Sequence, residues 1–193
     1  MISLGRLEKI EFPYLKELDA SVQKLEDFIG EVLDHSRTNR KEIQLEEVDI
    51  KELILGITDN LKYIENYSTI NFIQNIDEQF IRTDKFLLKV ILSNLLSNAI
   101  KYQKKRTEEE CEIKIKSWRQ VGTVCVQISD NGEGIAPSYR DKIFEMFYRG
   151  TTNSTGSGLG LFIAKEAAEK LQGAIEFTSE YGVGSVFTVS IPD

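Results

Sequence analysis

Apolar residues recur at alternating spacings of four and three near the start of the chain: Tyr14, Leu18, Val22, Leu25, Ile29 and Val32, with Leu15, Phe28 and Leu33 beside them. Charged residues flank this stripe, as in LKELDASVQKLEDFIGEVL. The period predicts a helix with a broad apolar seam. Pro13 interrupts the seam where it begins, so a turn or helix start falls there, and Leu4, Leu7 and Ile10 read as the end of a preceding helix. A seam this broad needs partners. A helical hairpin that dimerises into a bundle supplies them; a helix packed on its own domain is the simpler alternative.

The pattern changes after the polar joint SRTNRKE. IQLEEVD predicts a short strand. Leu53, Ile54, Ile57 and Leu61 share one face of a helix over about 50–66. STINFIQNI predicts a strand and Phe80–Arg82 a shorter one. Asp84 is placed to cap a long helix that runs to about 104. CEIKIKSW and TVCVQISD alternate apolar and polar residues and predict a hairpin. A helix is expected to start at Pro137, and another at about 158–172 after the small-residue stretch GTTNSTGSG. AIEFTSE and GSVFTVSI flank the turn YGVG as two last strands. No internal repeat is visible. The order predicts one mixed α/β domain over 41–193, behind a helical segment over 1–40.

Composition adds mainly exclusions. The chain has 193 residues, 41% apolar and 28% charged, an ordinary globular mix. Its net charge of −7 disfavours a general nucleic-acid partner. No apolar run approaches the roughly 20 residues that span a bilayer, so no direct membrane contact is expected. No signal-peptide pattern is visible after Met1, so none is expected in this segment. Cys111 and Cys125 lie in predicted strands and lack the spacing of a metal site, so both read as small buried hydrophobes.

Four constellations carry candidate chemistry. In NLLSNAIKY, Asn94 and Asn98 stand four apart in an otherwise apolar helix. Each asparagine costs roughly 0.5–0.7 kcal/mol of helix propensity against alanine. The spacing puts both amides on one face, and Lys101 extends it. Two amides and an ammonium suit a polyphosphate with a divalent cation; a solvated face gives the same pattern. In SDNGEGI, Asp130 ends a strand, and Gly132 and Gly134 admit positive φ and close backbone approach. This is a turn or a ligand loop, though the further oxygen ligands of an EF-hand are absent. In GSGLGLFIAK, Gly156, Gly158 and Gly160 stand at a helix start, where backbone N–H groups favour phosphate. It matches neither a Walker A nor a dinucleotide loop. The stretch before it has the composition of a lid. In IFEMFYRG, Phe144 and Phe147 are expected to pack in the core as the base of that lid, and Arg149 either reaches a phosphate or is solvated.

These four motifs, in this order and spacing, resemble the N, G1, F and G2 boxes of bacterial sensor histidine kinases, members of the GHKL ATP-binding superfamily. The resemblance covers about residues 43–192. It implies an α+β fold, a two-layer sandwich with a mixed sheet covered by helices on one face, and ATP with Mg2+ as ligands. It also implies roles. Asn98 resembles the magnesium ligand, and Asn94, Lys101 and Tyr102 resemble phosphate- or ribose-side contacts. Asp130 resembles the acceptor for the adenine amino group, and Gly132 and Gly134 shape its pocket. Gly156, Gly158, Leu159 and Gly160, with Arg149, resemble the phosphate-side loop. Gyrase-like and chaperone ATPases of the superfamily carry Glu where Asn94 stands, which argues for a kinase and against a hydrolase. A signalling module with a decayed pocket is a further alternative, against which all four boxes hold usable chemistry.

Residues 1–40 are similar to the dimerisation hairpin of the same kinases, which implies a homodimer, a response-regulator receiver domain as partner and a cytoplasmic location, compatible with a membrane-anchored parent. The family's phosphoacceptor motif, like Ser-His-Glu-Leu-Arg-x-Pro, has no match. The one histidine, His35, is followed by Ser36 and Arg37 rather than by an acid, and reads as a helix-end residue. The chain is therefore expected to be a fragment that binds ATP without autophosphorylating on histidine.

Overall fold

The structure, a computed structural model, describes residues 42–65, 67–104, 110–148 and 157–193 and, before them, residues 18, 22, 25, 26, 28–33, 36 and 38. Those earlier positions are all helical. Leu18, Val22, Leu25 and Ile29 of the predicted seam are each about half exposed. Tyr14, Pro13, His35 and the preceding helix end lie outside the described residues, as do Arg149 and Gly156.

Strand β1 (Glu46–Asp49) leads directly into helix α1 (Ile50–Asn60), whose N-cap Asp49 accepts from the Glu52 N–H. The helix stops about six residues earlier than its apolar pattern predicts. Beyond Asn60 the chain continues in three-residue turns, Leu61 N–H to Thr58, Ile64 N–H to Leu61 and Tyr67 N–H to Ile64, which keep Leu61 buried without a helix. Strands β2 (Ile70–Ile76) and β3 (Phe80–Thr83) follow, and β3 pairs antiparallel with β1 in a small separate sheet.

Helix α2 (Lys85–Lys101) begins at Asp84, which accepts the Leu87 N–H at 3.1 Å. It buries Leu88, Ile91, Leu92, Leu95, Leu96, Ala99 and Ile100. It ends near Lys101, where the Gln103 amide bonds the Ala99 carbonyl and closes the last turn. Strands β4 (Cys111–Gln120) and β5 (Thr123–Asp130) form the predicted hairpin. Pro137 starts a 3-10 turn to Lys142, not an α-helix. Helix α3 (Gly160–Lys170) and the hairpin β6 (Ala174–Glu180) and β7 (Gly184–Pro192) complete the fold.

The main sheet has the order β2-β4-β5-β7-β6; only β2 and β4 are parallel, with α2 lying between them in sequence. Ile113, Ile115, Val124, Val126, Ile128, Val189 and Ile191 form one buried face of this sheet. Helices α1, α2 and α3 cover that face, as the two-layer expectation required. The alternate residues, such as Lys114, Lys116, Gln127 and Glu176, face outward. Cys125 is 3% exposed, but Cys111, at the start of β4, is only half-buried. No helix among the described residues is long and apolar enough to cross a membrane.

Candidate functional site

Asp130 is the last residue of β5, and the chain turns sharply after it. The Gly132 N–H donates to the Asp130 carboxylate at 2.9 Å, and Gly132 is packed so tightly against the Tyr102 carbonyl that a Cβ has no room. The Glu133 N–H donates to the same Tyr102 carbonyl at 2.9 Å. These bonds tie the glycine loop to the end of α2 and bring Asn98 and Tyr102 towards Asp130. Asn131 anchors the loop from the other side: its amide accepts from the Glu112 N–H and donates to the Glu110 carbonyl, both at 2.8 Å.

Gly134 has φ +65 and lies against the Glu180 carbonyl, which excludes any side chain there. The β6–β7 turn grips this loop further. The Gly182 N–H donates to the Glu133 carbonyl at 2.8 Å, and the Ile135 N–H donates to the Ser179 hydroxyl at 2.8 Å. β7 places Ser185 directly opposite Asp130 in the ladder.

Between these elements lies a cavity of about 210 Å³. Asn98, Ala99 and Tyr102 of α2 form one side, and Asp130, Ser185 and Phe187 of the sheet form another. The loop side is Glu133 to Ala136, Tyr139 and Ile143; Tyr148, Gly158, Leu161 and Tyr181 complete the lining. Burial pushes the Asp130 carboxyl up to about 6, although the backbone N–H groups of Gly132 and Ser185 favour its charged form. A half-buried carboxylate in a largely apolar cavity is a strong acceptor for a donor that arrives with a ligand.

Asn98, Tyr102, Asp130, Gly134 and Gly158 therefore line a single cavity. The other expected residues stand apart from its lining. Gly132 is buried behind Asp130. Asn94 faces Gly160 across the α2–α3 contact, and its amide donates to the Val90 carbonyl at 2.9 Å. Lys101 is half-buried in the last turn of α2. Leu159 is 1% exposed, a core residue whose N–H donates to the Ser157 hydroxyl at 3.0 Å.

Phe144 packs against Phe177, which stacks on Phe187, as expected of a core anchor. Phe147 does not follow that expectation. It has φ +63, and the residue is 55% exposed at the turn that this conformation makes. Its N–H donates to the Gly158 carbonyl at 3.1 Å, joining the two ends of the stretch between them.

Sequence reasoning missed Ser185, Tyr139, Tyr148 and Tyr181. Ser185 reaches Asp130 only through strand register. Tyr139 and Tyr148 meet edge-on at 6.3 Å only after the 3-10 turn folds back. Asn98 lines the cavity and carries an amide oxygen, a hard neutral donor of the kind that suits a cation brought in with its ligand's own oxygens, and no group of three His, Cys, Asp or Glu able to hold a metal occurs among the described residues.

A mixed sheet with helices on one face, and a cavity between an asparagine-bearing helix, an aspartate-ended strand and a glycine-led helix, defines a GHKL-type ATP-binding domain. The chain belongs to that family: residues 83–193 match the profile described as histidine kinase-, DNA gyrase B- and HSP90-like ATPase. It is 30% identical over 187 residues to the sensor-like histidine kinase SenX3 of Mycolicibacterium smegmatis, covering 93% of this chain and 48% of that protein. It is 28% identical over 193 residues to the aerobic respiration control sensor protein ArcB of Escherichia coli, covering 92% and 24% respectively. The chain thus spans less than half the length of these relatives. Among solved structures, full-length ShkA in complex with AMPPNP superimposes with a TM-score of 0.75 at 27% identity, covering 93% of this chain and 38% of that one. The catalytic domain of the histidine kinase ThkA superimposes with a TM-score of 0.64 at 30% identity, covering 77% and 97%.

Proposed function

We propose that this chain is the Mg-ATP-binding catalytic portion of a two-component sensor histidine kinase, which transfers the γ-phosphoryl group to a histidine that this chain does not carry. The observation that carries the reading is the convergence of Asn98, Asp130 and Gly158 on one cavity. The Asp130 carboxylate accepts the adenine amino group, with Ser185 beside it. Asn98 holds magnesium through its amide oxygen; magnesium supplies charge neutralisation on the phosphate oxygens when bound. The start of α3, from Gly158 to Gly160, receives the phosphates on backbone N–H groups, and Lys101 and Arg149 supply positive charge from the flanks. Asn94 holds α2 at a fixed distance from that helix start. The protein contributes mostly positioning and charge, as phosphoryl transfer requires.

Hydrolysis is the competing reading. It needs a base for water at the place of Asn94, and a neutral amide cannot take that proton. The exposed seam of Leu18, Val22, Leu25 and Ile29 supports a homodimer through residues 1–40. The cytoplasm and a response-regulator receiver domain are the setting and partner this activity implies. Titration with a fluorescent ATP analogue, with and without magnesium, tests the site: magnesium-dependent saturation is expected, and no binding overturns it. Labelled ATP followed by acid-labile phosphate analysis tests the reaction: no label on His35 is expected.

A further inference from the structure

Helix α3 is held at both ends by the helical segment that precedes the catalytic domain. Before its first turn, the Ser157 hydroxyl donates to the Glu31 carboxylate. In its last turn, the Lys170 ammonium donates to the Thr38 carbonyl. Glu31 and Thr38 are both helical, and Thr38 is 1% exposed. The two contacts follow the same chain order on both partners, Glu31 to Ser157 and Thr38 to Lys170, so the segment runs beside α3 in the same direction, with its acid at the start of α3.

The Ser157 hydroxyl has two roles at once. It accepts the Leu159 N–H at 3.0 Å and donates to Glu31, and the residue between, Gly158, lines the cavity. One hydroxyl thus links the backbone entering α3 to a negative charge on another segment. Helix α3 has no side-chain cap of its own, and a helix start attracts negative charge. Glu31 partly satisfies that demand through the Ser157 hydroxyl. A triphosphate at the same helix start brings several negative charges next to it, and like charges at this range repel.

We infer that the Glu31–Ser157 contact is an autoinhibitory latch: it holds the helical segment on α3 until nucleotide phosphates expel Glu31 and loosen the segment. The inference rests on the cavity being the ATP site. Coupling of this kind is reciprocal, so removing the latch charge tightens the polyphosphate ligand. Adenosine, which has no phosphate, gains nothing.

The test uses the full 193-residue chain as wild type, Glu31→Gln and Ser157→Ala. Affinities for Mg-ATP and adenosine are measured by competition against a fluorescent analogue, and amide exchange is followed at residues 28–33. Glu31→Gln is expected to bind ATP about fivefold tighter or more, the low end of site-to-site coupling, with adenosine unchanged. ATP but not adenosine should speed exchange at 28–33 in the wild type. Both variants should exchange fast without ligand. Equal ATP affinity in wild type and Glu31→Gln, or a change shared by adenosine, overturns the latch and leaves the nucleotide site standing. Failure of every variant to bind either ligand overturns the site itself, and the latch with it.

Discussion

Asn94 and Gly160 are interlocked across the α2–α3 contact: a Cβ added at Gly160 would lie 2.7 Å from the Asn94 Oδ1. Asn94 has little freedom to yield, because its other amide atom bonds the Val90 carbonyl at 2.9 Å. Gly160→Ala therefore sets two effects against each other. Alanine gains up to about 1 kcal/mol of helix propensity over glycine, while overpacking costs typically 1–3 kcal/mol. The clash is expected to win by about 1 kcal/mol, a fall in Tm of roughly 2–4 °C for a chain of this size. Adding Asn94→Ala should remove the penalty, so thermal melts of the two singles and the double will show coupling. Additive melts would show that the two residues do not touch.

Phe147 and Gly158, bonded backbone to backbone, make opposite predictions although both have positive φ. Phe147 has φ +63 and an exposed ring, so Phe147→Gly removes about 1–2 kcal/mol of left-handed strain and loses little packing. Glycine's greater unfolded-state entropy offsets roughly 0.5–1 kcal/mol of that. A small net rise in Tm is expected. Gly158 has φ +78, and its Cβ would meet the backbone of Phe147 and Tyr148 at 2.8 Å. Gly158→Ala adds strain and a backbone clash, and should destabilise by about 2–4 kcal/mol. Denaturant melts of the two variants are the comparison, and a loss of stability in Phe147→Gly would contradict the strain argument.

Asp130 makes stability and binding respond to pH in opposite directions. Burial raises its folded-state pKa to about 6, well above the ordinary aspartate value of about 3.9. Between about pH 4 and 6 the folded state therefore holds a proton that the unfolded state has released, so this group's contribution to stability falls as pH rises through that window, by on the order of 3 kcal/mol. In the proposed site the base is held by the ionised acceptor, so adenosine affinity should fall as pH drops below about 6. Using adenosine keeps phosphate titration out of the measurement. Asp130→Asn should flatten both profiles; if it leaves the pH dependence of binding unchanged, another group is responsible.

Much of this fold was legible because its elements are strongly patterned. Alternation in CEIKIKSW and TVCVQISD placed β4 and β5, and Asp84 caps α2 where the sequence put it. The end of α1 was not legible, since Leu61 and Ile64 keep a helical spacing while the chain has already left the helix for three-residue turns. Nor was the 3-10 turn at Pro137, because proline at a first turn suits either helix type. The site divided in the same way. Asn98, Asp130 and Gly158 carry local signals, a polar residue in an apolar run or a glycine at a turn. Ser185 and Tyr181 carry none, and they reach the cavity by strand register and by the β6–β7 turn closing on Glu133. Phe147 was misjudged because apolar spacing says nothing of φ, and its φ of +63 turned the ring outward.

In the proposed site, base selectivity follows from the same carboxylate. A site built to accept the adenine amino group leaves Asp130 facing a carbonyl oxygen when guanine is bound, and sites that depend on one buried polar partner discriminate by several orders of magnitude. Competition with GTP should require at least about 100-fold more nucleotide than ATP. Asp130→Asn, which offers a donor as well as an acceptor, should narrow that gap. Equal competition by the two nucleotides in the wild type would place the base elsewhere.

In the proposed site, Asn98 separates binding of the metal from binding of the base. Its side chain lines the cavity from α2, one turn beyond Asn94, and it is half-buried, so its loss leaves no large void. Alanine gains roughly 0.5–0.7 kcal/mol of helix propensity there, so Asn98→Ala should fold at least as stably as the wild type. Losing even an outer-shell partner of a metal ligand typically costs 10–100-fold in affinity, and loss of the ligand itself should cost no less. ATP binding should therefore weaken by at least about tenfold in the presence of magnesium, while adenosine binding stays within about twofold, because Asp130 and the glycine loop are untouched. Titrations of both ligands with and without magnesium distinguish the outcomes: an ATP affinity that keeps its full magnesium dependence in Asn98→Ala would show that the cation is held without this residue.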